Sequence, residues 1–490
     1  MPATTTAREV GRRTKIVCTL GPATASEAMI QELARAGMEV ARVNFSHGSR
    51  DEHRQMTSGV RAVSERLDRP LGLLADLSGA KLRLGEIPGD EMVLRAGEEV
   101  VLDTAGEPAP GRLPLPAPEL AGALAPGQRL LLGDGGMALS VQEVRGSEIR
   151  AAVTAGGLLR SRQGIHAPGA RLAIRAVTDK DLEDLEFALG QGADWVAMSF
   201  VRSARDLEPL REAIRRAGAP ARLMAKIETQ EAVQNLEEIV AVSDGLMVAR
   251  GDLGIEMEVE QVPVLQKTII GRANRAGKVV VTATQMLESM LHSPRPTRAE
   301  VSDVANAVLD GTDAVMLSGE TAIGDYPVEA VRVMARAVCH AEAALDFGAR
   351  LTQSMAWPAE TVTQAISEAT CHLARELEAK AIITATLSGR TACMVAMHRP
   401  ETPIVAVTPD VATLRRLTLV WGVRPLLAER GRNTDELIRN AVAAAERAGL
   451  VRAGDVVVIT AGVAAQEGGT NMIEVEVVGR RPRAKGRKGA

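Results

Sequence analysis

The chain alternates short, continuously apolar runs with longer stretches in which apolar residues recur at helical spacing. Residues 15–20 (Lys15-Ile16-Val17-Cys18-Thr19-Leu20) predict a buried strand stopped by Gly21-Pro22, and Ser26 is placed to cap a helix over 26–36. A strand over 40–44, a helix over 50–66 and a strand over 71–76 follow. The pattern resumes with a helix over 178–190. Strands are then expected at 195–199, 223–228, 246–250, 279–283 and 314–317, with helices between them, including 262–276 and 302–309. Eight strands alternating with helices predict an α/β fold of the (β/α)8 (TIM) barrel kind, whose chemistry gathers at the carboxyl ends of the strands.

Two regions depart from this rhythm. Between residues 85 and 169 only short strands are expected (99–102, 129–132, 138–141 and 149–153), with heavy Pro and Gly punctuation and no helix. They suggest a small β-barrel lid domain inserted after strand three. After a helix ending near 345 and a linker over 347–358, helices over 363–377, 391–397, 411–417 and 434–448 alternate with strands at 381–384, 404–407 and 455–459. That is a doubly wound α/β domain. The expected boundaries are a flexible arm over 1–12, the barrel over 13–84 and 170–346, the lid over 85–169, a C-terminal domain over 347–480 and a basic tail over 481–490.

Composition narrows the function. Aromatic residues are 2% of the chain and the net charge is −4, so neither stacking platforms nor a basic surface favours nucleic acid. Cys18, Cys339, Cys371 and Cys393 form no CxxC pair and are expected to be reduced and buried, as in a cytoplasmic protein. No apolar run is long enough to span a membrane, and the polar first thirteen residues are no signal peptide.

The strand ends carry the candidate chemistry. Lys226 and Glu228 lie two positions apart, on one face of a strand. Arg42, Asn44, Ser46, Asp76, Ser199, Arg250, Gly251, Asp252, Thr284, Ser318 and Glu320 fall at the other ends. Glu228 and Asp252, on neighbouring strands, suit Mg²⁺ held together with water and substrate oxygens. Arg42 and Lys226 suit a phosphoryl group, and Gly251 lets an anion approach the backbone.

At these residues the chain resembles the pyruvate kinase family, over about residues 12–480. The stretches that carry the resemblance are Thr14-Lys15-Ile16-Val17-Cys18-Thr19-Leu20-Gly21-Pro22-Ala23, Arg42-Val43-Asn44-Phe45-Ser46-His47-Gly48, Lys226-Ile227-Glu228, Met247-Val248-Ala249-Arg250-Gly251-Asp252-Leu253-Gly254, Ala283-Thr284-Gln285-Met286-Leu287-Glu288-Ser289-Met290, Pro296-Thr297-Arg298-Ala299-Glu300 and Leu317-Ser318-Gly319-Glu320-Thr321-Ala322. The resemblance implies transfer of a phosphoryl group from phosphoenolpyruvate to ADP, giving pyruvate and ATP in glycolysis. Mg²⁺ (or Mn²⁺) would sit on Glu228 and Asp252. Lys226 and Arg42 would stabilise the phosphoryl group, with Gly251, Asp252 and Thr284 also at the substrate. Thr284 would belong to the relay that protonates enolpyruvate, and Arg83, Asn44 and His47 would lie on the nucleotide side. The family is usually a homotetramer regulated through its C-terminal domain.

Three places depart from or extend this pattern. The family's monovalent-cation site maps to Asn44, Ser46, Asp76 and Leu77. The acidic residue of the family's Thr-Lys-Gly-Pro-Glu run is Lys81 here, in Leu77-Ser78-Gly79-Ala80-Lys81. A tethered ammonium can supply the charge of K⁺, so K⁺ is not expected to be required. In the lid, Gln163-Gly164-Ile165-His166 replaces the usual Lys-Gly-Val-Asn, while Asp134 is kept, and Arg160 or Arg162 is a candidate to compensate. In the C-terminal domain, Thr386-Leu387-Ser388-Gly389-Arg390-Thr391 joins a strand to a helix and suggests a loop for a phosphorylated effector, with Gly468-Gly469-Thr470-Asn471 near it. Two rival functions remain at this level: another barrel enzyme acting on phosphoenolpyruvate or pyruvate, which would have no nucleotide for a lid to cover, and a catalytically weak metabolite-binding regulator.

Overall fold

The computed structural model describes residues 11–106, 112–170, 174–462 and 469–479. Eight parallel strands close into a barrel: β1 (Lys15–Thr19), β2 (Val40–Asn44), β3 (Gly72–Leu77), β4 (Trp195–Met198), β5 (Arg222–Ile227), β6 (Gly245–Ala249), β7 (Val279–Ala283) and β8 (Ala314–Leu317). β1 completes the ring by pairing with both β2 and β8. Buried on both faces, these strands are largely apolar, and the charged residues buried within them, Lys15, Arg42, Asp76 and Lys226, are hydrogen-bonded. Helix starts are chemically marked. Ser26 caps Glu27–Ala36, Ser49 and Glu52 form a reciprocal cap on Arg50–Arg66, and Thr297 and Glu300 do the same for Arg298–Asp310. That last helix therefore begins before residue 302, where apolar spacing alone put it.

The insertion between β3 and β4 forms a six-stranded sheet and a two-stranded ribbon, Glu91–Leu94 paired with Gly157–Arg160. Leu102, Leu113, Leu130, Leu139 and Ile149 give it a core of its own. Contrary to expectation it contains a helix, Pro118–Ala123. Proline is suited to a first helical turn, and Leu120 is buried in the lid core. The chain enters and leaves the lid through two adjacent crossings, joined by an antiparallel bridge between Arg83 and Gly164.

The expected linker is also a helix, Phe347–Met355, capped by Asp346 and anchored by buried Leu351 and Ser354. Beyond it lies a five-stranded sheet in the order Val423–Leu427, Ile404–Thr408, Ala381–Ala385, Val456–Ala461, Met472–Val477; the last strand runs antiparallel to its neighbour. One apolar cluster runs from the barrel interior (Val17, Met224, Met316) into this domain (Ile382, Val395, Leu417). At the same junction Arg399 donates both terminal nitrogens to Asp313, at 3.1 and 2.9 Å, and also bonds Asn274 and the Gly311 carbonyl. The four cysteines are free; Cys18 and Cys371 are buried, but Cys339 and Cys393 are only partly so. Among the described residues no helix is long and apolar enough to cross a membrane. Most of the expected N-terminal arm, the basic tail and Gly468 lie outside the described residues.

Candidate active site

Lys226, the second-last residue of β5, lies at the centre of the barrel's carboxyl end. Its ammonium donates to Ser199 Oγ at 2.7 Å and lies 2.9 Å from Glu228 Oε1 and 3.4 Å from Asp76 Oδ1. The pair first met in the sequence is thus a buried one, not a surface ion pair. Burial works against the charged lysine, but Asp76 and Glu228 outweigh it, so Lys226 is held above its usual pKa and stays an ammonium. Asp76, in turn, is kept below its usual range: burial would raise it, but Lys226 and Arg42 prevail. Arg42 donates Nε to Asp76 at 2.7 Å and Nη1 to Thr19 Oγ1 at 2.8 Å. Ser199, expected at the end of its strand, supports the lysine, while Thr19 and Phe200 are supporting residues that spacing gave no means to single out.

Glu228 sits just beyond β5 and is fully buried. Its Oε2 accepts from the Phe200 amide at 2.7 Å, while Oε1 receives no amide and faces the Lys226 ammonium at 2.9 Å. Burial raises its pKa, Lys226 opposes that, and the neighbouring Asp252 charge adds to it. Asp252 lies in the first turn of the helix Arg250–Glu256, directly after β6, and faces Lys81 Nζ at 3.5 Å. A buried carboxylate oxygen left without an amide donor, beside a second and partly exposed carboxylate, fits a hard divalent cation that keeps water and substrate ligands. Among the described residues no group of three or more metal-ligating side chains occurs.

The loop after β7 is strained. Thr284 and Gln285 have φ of +68° and +54°, and Phe200, after β4, has +55°. Bulky and β-branched residues adopt this region only when surroundings enforce it. Arg250 supplies part of the enforcement. It turns away from the site, pairs with Asp303, and donates to the carbonyls of Ala283 (3.3 Å) and Thr284 (2.6 Å). Thr284 Oγ1 accepts from the Gly251 amide at 2.7 Å. Glu320 is also a brace: its oxygens accept from the amides of Leu287 and Ser318.

The other candidates lie around this centre. Asn44 Oδ1 accepts from the Ser46 amide at 3.1 Å, and Ser199 Oγ donates to the Leu77 carbonyl at 2.8 Å. Partial burial, together with Arg83, Arg42 and Lys81, lowers the pKa of His47. Arg83 reaches the Arg162 carbonyl, whereas Arg162 itself pairs with Glu86. Gln163 turns back onto the lid, accepting from the Arg160 amide at 3.0 Å. In the C-terminal domain Gly389 (φ +84°) ends the loop Thr386–Gly389, whose Thr386 hydroxyl accepts from the Gly389 amide. Ser388 presents its carbonyl to Arg222, and Thr391 bonds Thr470, side chain to side chain, at 2.7 Å. The short helix Arg390–Ala396 follows.

Residues 11–331 match the family description "Pyruvate kinase, barrel domain", and residues 364–476 match "Pyruvate kinase, alpha/beta domain". The chain is 45% identical to the pyruvate kinase of Geobacillus stearothermophilus, over 95% of this chain and 80% of that protein. It is 43% identical to those of Staphylococcus epidermidis (strain ATCC 35984) and Staphylococcus aureus (strain MRSA252), over 96% of this chain and 81% of each. With both parts of the chain matched and this identity sustained along nearly its whole length, the chain belongs to the pyruvate kinase family of phosphotransferases.

Proposed function

We propose that this enzyme transfers the phosphoryl group of phosphoenolpyruvate to ADP as part of glycolysis, requires a divalent cation, Mg²⁺ first, and works without K⁺. The observation that carries this reading is Glu228 Oε1, a buried carboxylate oxygen that receives no backbone amide and lies between the Lys226 ammonium at 2.9 Å and the Asp252 charge. Mg²⁺ on Glu228 and Asp252 would supply positive charge at the oxygens of the transferring group. The chain's own residues do the rest by position. Lys226, fixed by Ser199, Asp76 and Glu228, is a preorganised cation for the phosphoryl group in flight. Arg42 spends Nε and Nη1 on Asp76 and Thr19, which leaves Nη2 to approach a phosphoryl oxygen. The Gly251 amide and Thr284 hydroxyl line the substrate's other side, where Thr284 serves the proton relay to enolpyruvate. Arg83, Asn44 and His47 take the nucleotide side.

Lys81 carries the K⁺ independence. Its ammonium is at the site, 3.5 Å from Asp252, rather than in solvent, and it acts on the charge of His47 along with Arg42 and Arg83. Asn44, Ser46, Asp76 and Leu77, the corresponding cation ligands, need no ion where a tethered charge already stands. By the same resemblance the enzyme is a cytoplasmic homotetramer, and Thr386, Ser388, Gly389, Arg390 and Thr391 receive a phosphorylated effector.

Pyruvate release from phosphoenolpyruvate, ADP and Mg²⁺ in buffer free of K⁺, Na⁺ and NH₄⁺ tests both claims. Turnover is expected to be high and to change little on adding K⁺. Lys81→Glu is expected to lose about 10²-fold in K⁺-free buffer, the scale of one preorganised charge, and to recover with K⁺. Wild-type turnover that appears only with K⁺ would remove the role of Lys81. Substrate binding without turnover under either condition would favour the regulator.

A further inference from the structure

The two crossings that join lid to barrel each face a carboxylate on the same helix. Lys81, on the outgoing crossing, faces Asp252 at 3.5 Å. His166, on the returning crossing, directs Nδ1 at Glu256 Oε1 at 3.6 Å. Asp252 and Glu256 are four residues apart on Arg250–Glu256, so they share one helical face. The crossings are themselves tied together: the Ile165 amide donates to the Leu82 carbonyl at 3.1 Å, and Arg83 bridges Gly164. His166 is 5% exposed, and its Nε2 is buried without a hydrogen-bond partner. It lines a cavity of about 90 Å³ at the hinge, where the charged side chains are Lys81, Arg202, Glu231 and Glu256. The ring is thus buried by packing beside one carboxylate, just beyond hydrogen-bond distance, with its other nitrogen unpaired, so a small shift of the hinge suffices to make or lose the contact.

We propose that His166 is a positioning residue of the lid hinge. With Lys81 it fastens both crossings to the helix that bears Asp252, so the position of the lid and the occupancy of the metal site are one linked equilibrium. This rests on Asp252 being a ligand of the divalent cation. A cation on Asp252 competes with Lys81 for the same carboxylate, and the His166–Glu256 contact then holds the hinge. Because linkage is reciprocal, loosening that contact must alter cation affinity and lid closure over the nucleotide together.

The test uses the full-length enzyme and the variants His166→Asn, Glu256→Gln and the double variant. Three quantities are read: ADP KM and kcat, Mg²⁺ affinity by titration without substrates, and hydrogen exchange of residues 81–83 and 164–166 with and without Mg²⁺. Each single variant is expected to raise ADP KM about 3- to 10-fold with kcat little changed, to shift Mg²⁺ affinity by a similar factor, and to speed exchange at both crossings, within the range of ordinary coupling energies. The double variant should add little, because both changes remove the same contact. Unchanged KM and Mg²⁺ affinity in folded variants, or fully additive effects, would overturn the proposal. Asp252→Asn separates the two levels. If it leaves Mg²⁺ affinity intact, the metal assignment fails, while accelerated exchange in His166→Asn would still report the clamp by itself.

Discussion

Both ends of the barrel bury charge, and they treat it in opposite ways. At the amino end Asp313 is saturated: it accepts from Arg399 on both oxygens, from the Trp421 amide and from the Val280 amide. Lys15 there crosses to the Val423 carbonyl at 2.8 Å, and burial lowers its pKa to about 8. At the carboxyl end Glu228 keeps one oxygen that receives no amide and faces only the Lys226 ammonium, and Phe200, Thr284 and Gln285 are held at positive φ. The amino end has a blemish of its own, since Arg399 is at φ +49° and its Nε is unpaired. Its carboxylate nevertheless has nothing left to accept. The carboxylate at the amino end is closed off by donors and joins two domains, whereas Glu228 shares one ammonium with Asp76. That division, stability below and chemistry above, is the barrel's general one.

Three changes would break or sharpen the contrast. Arg399→Met strands Asp313 as a buried charge and is expected to cost about 3–5 kcal/mol of stability in denaturant titration, with kcat of the folded enzyme retained. Loss of turnover without loss of stability would reverse the assignment of the amino end. Lys226→Met is expected to show first in turnover: kcat of the folded enzyme falls about 10²–10³-fold or more, the scale of one preorganised donor, in addition to the stability lost by leaving Asp76 and Glu228 without their shared ammonium. A variant with near-wild-type kcat would refute the role of Lys226.

The smallest effect is one of pH. His398, at the domain junction, bonds Ser354 Oγ at 3.1 Å, and burial pushes its pKa down to about 4. The folded protein keeps this ring neutral, while the unfolded chain protonates it near pH 6.5. Stability is therefore complete above about 6.5 and declines as pH falls toward 4, by at most about 3 kcal/mol from this group. His398→Gln should flatten that part of the stability–pH curve, measured by urea unfolding between pH 7 and 4. An unchanged slope would mean that other groups govern it.

The barrel was legible because a strand buried on both faces must be largely apolar, and β1 to β8 are. Lys226, Glu228 and Asp252 were legible because strand ends are the places where polar residues interrupt such runs. The elements that escaped had weaker patterns. Phe347–Met355 is a short helix anchored by few buried side chains, among them Leu351 and Ser354. Val423–Leu427 contains Arg424 and Pro425, and Met472–Val477 interleaves Glu474 and Glu476 with its apolar residues. Edge strands tolerate such residues and so lose the strand signal. Arg250 and Glu320 matched the strand-end rule yet turned out to brace backbone, since spacing assigns a residue to an end but not the direction of its side chain. The contacts of Thr19 and Ser199 run between strands distant in sequence, which no local pattern encodes.

The seam of the ring also sets a timetable for biosynthesis. β1 emerges from the ribosome first, but one of its two partners, β8, follows only after the whole lid and all the intervening strands. The lid, with its separate core, can fold while β1 still lacks that neighbour. The seam is where Thr19 Oγ1 donates to the Leu317 carbonyl and accepts from Arg42. The cradle for Arg42 is thus completed only when the last barrel strand arrives, so a nascent chain stalled short of that point holds a finished lid over an unfinished site.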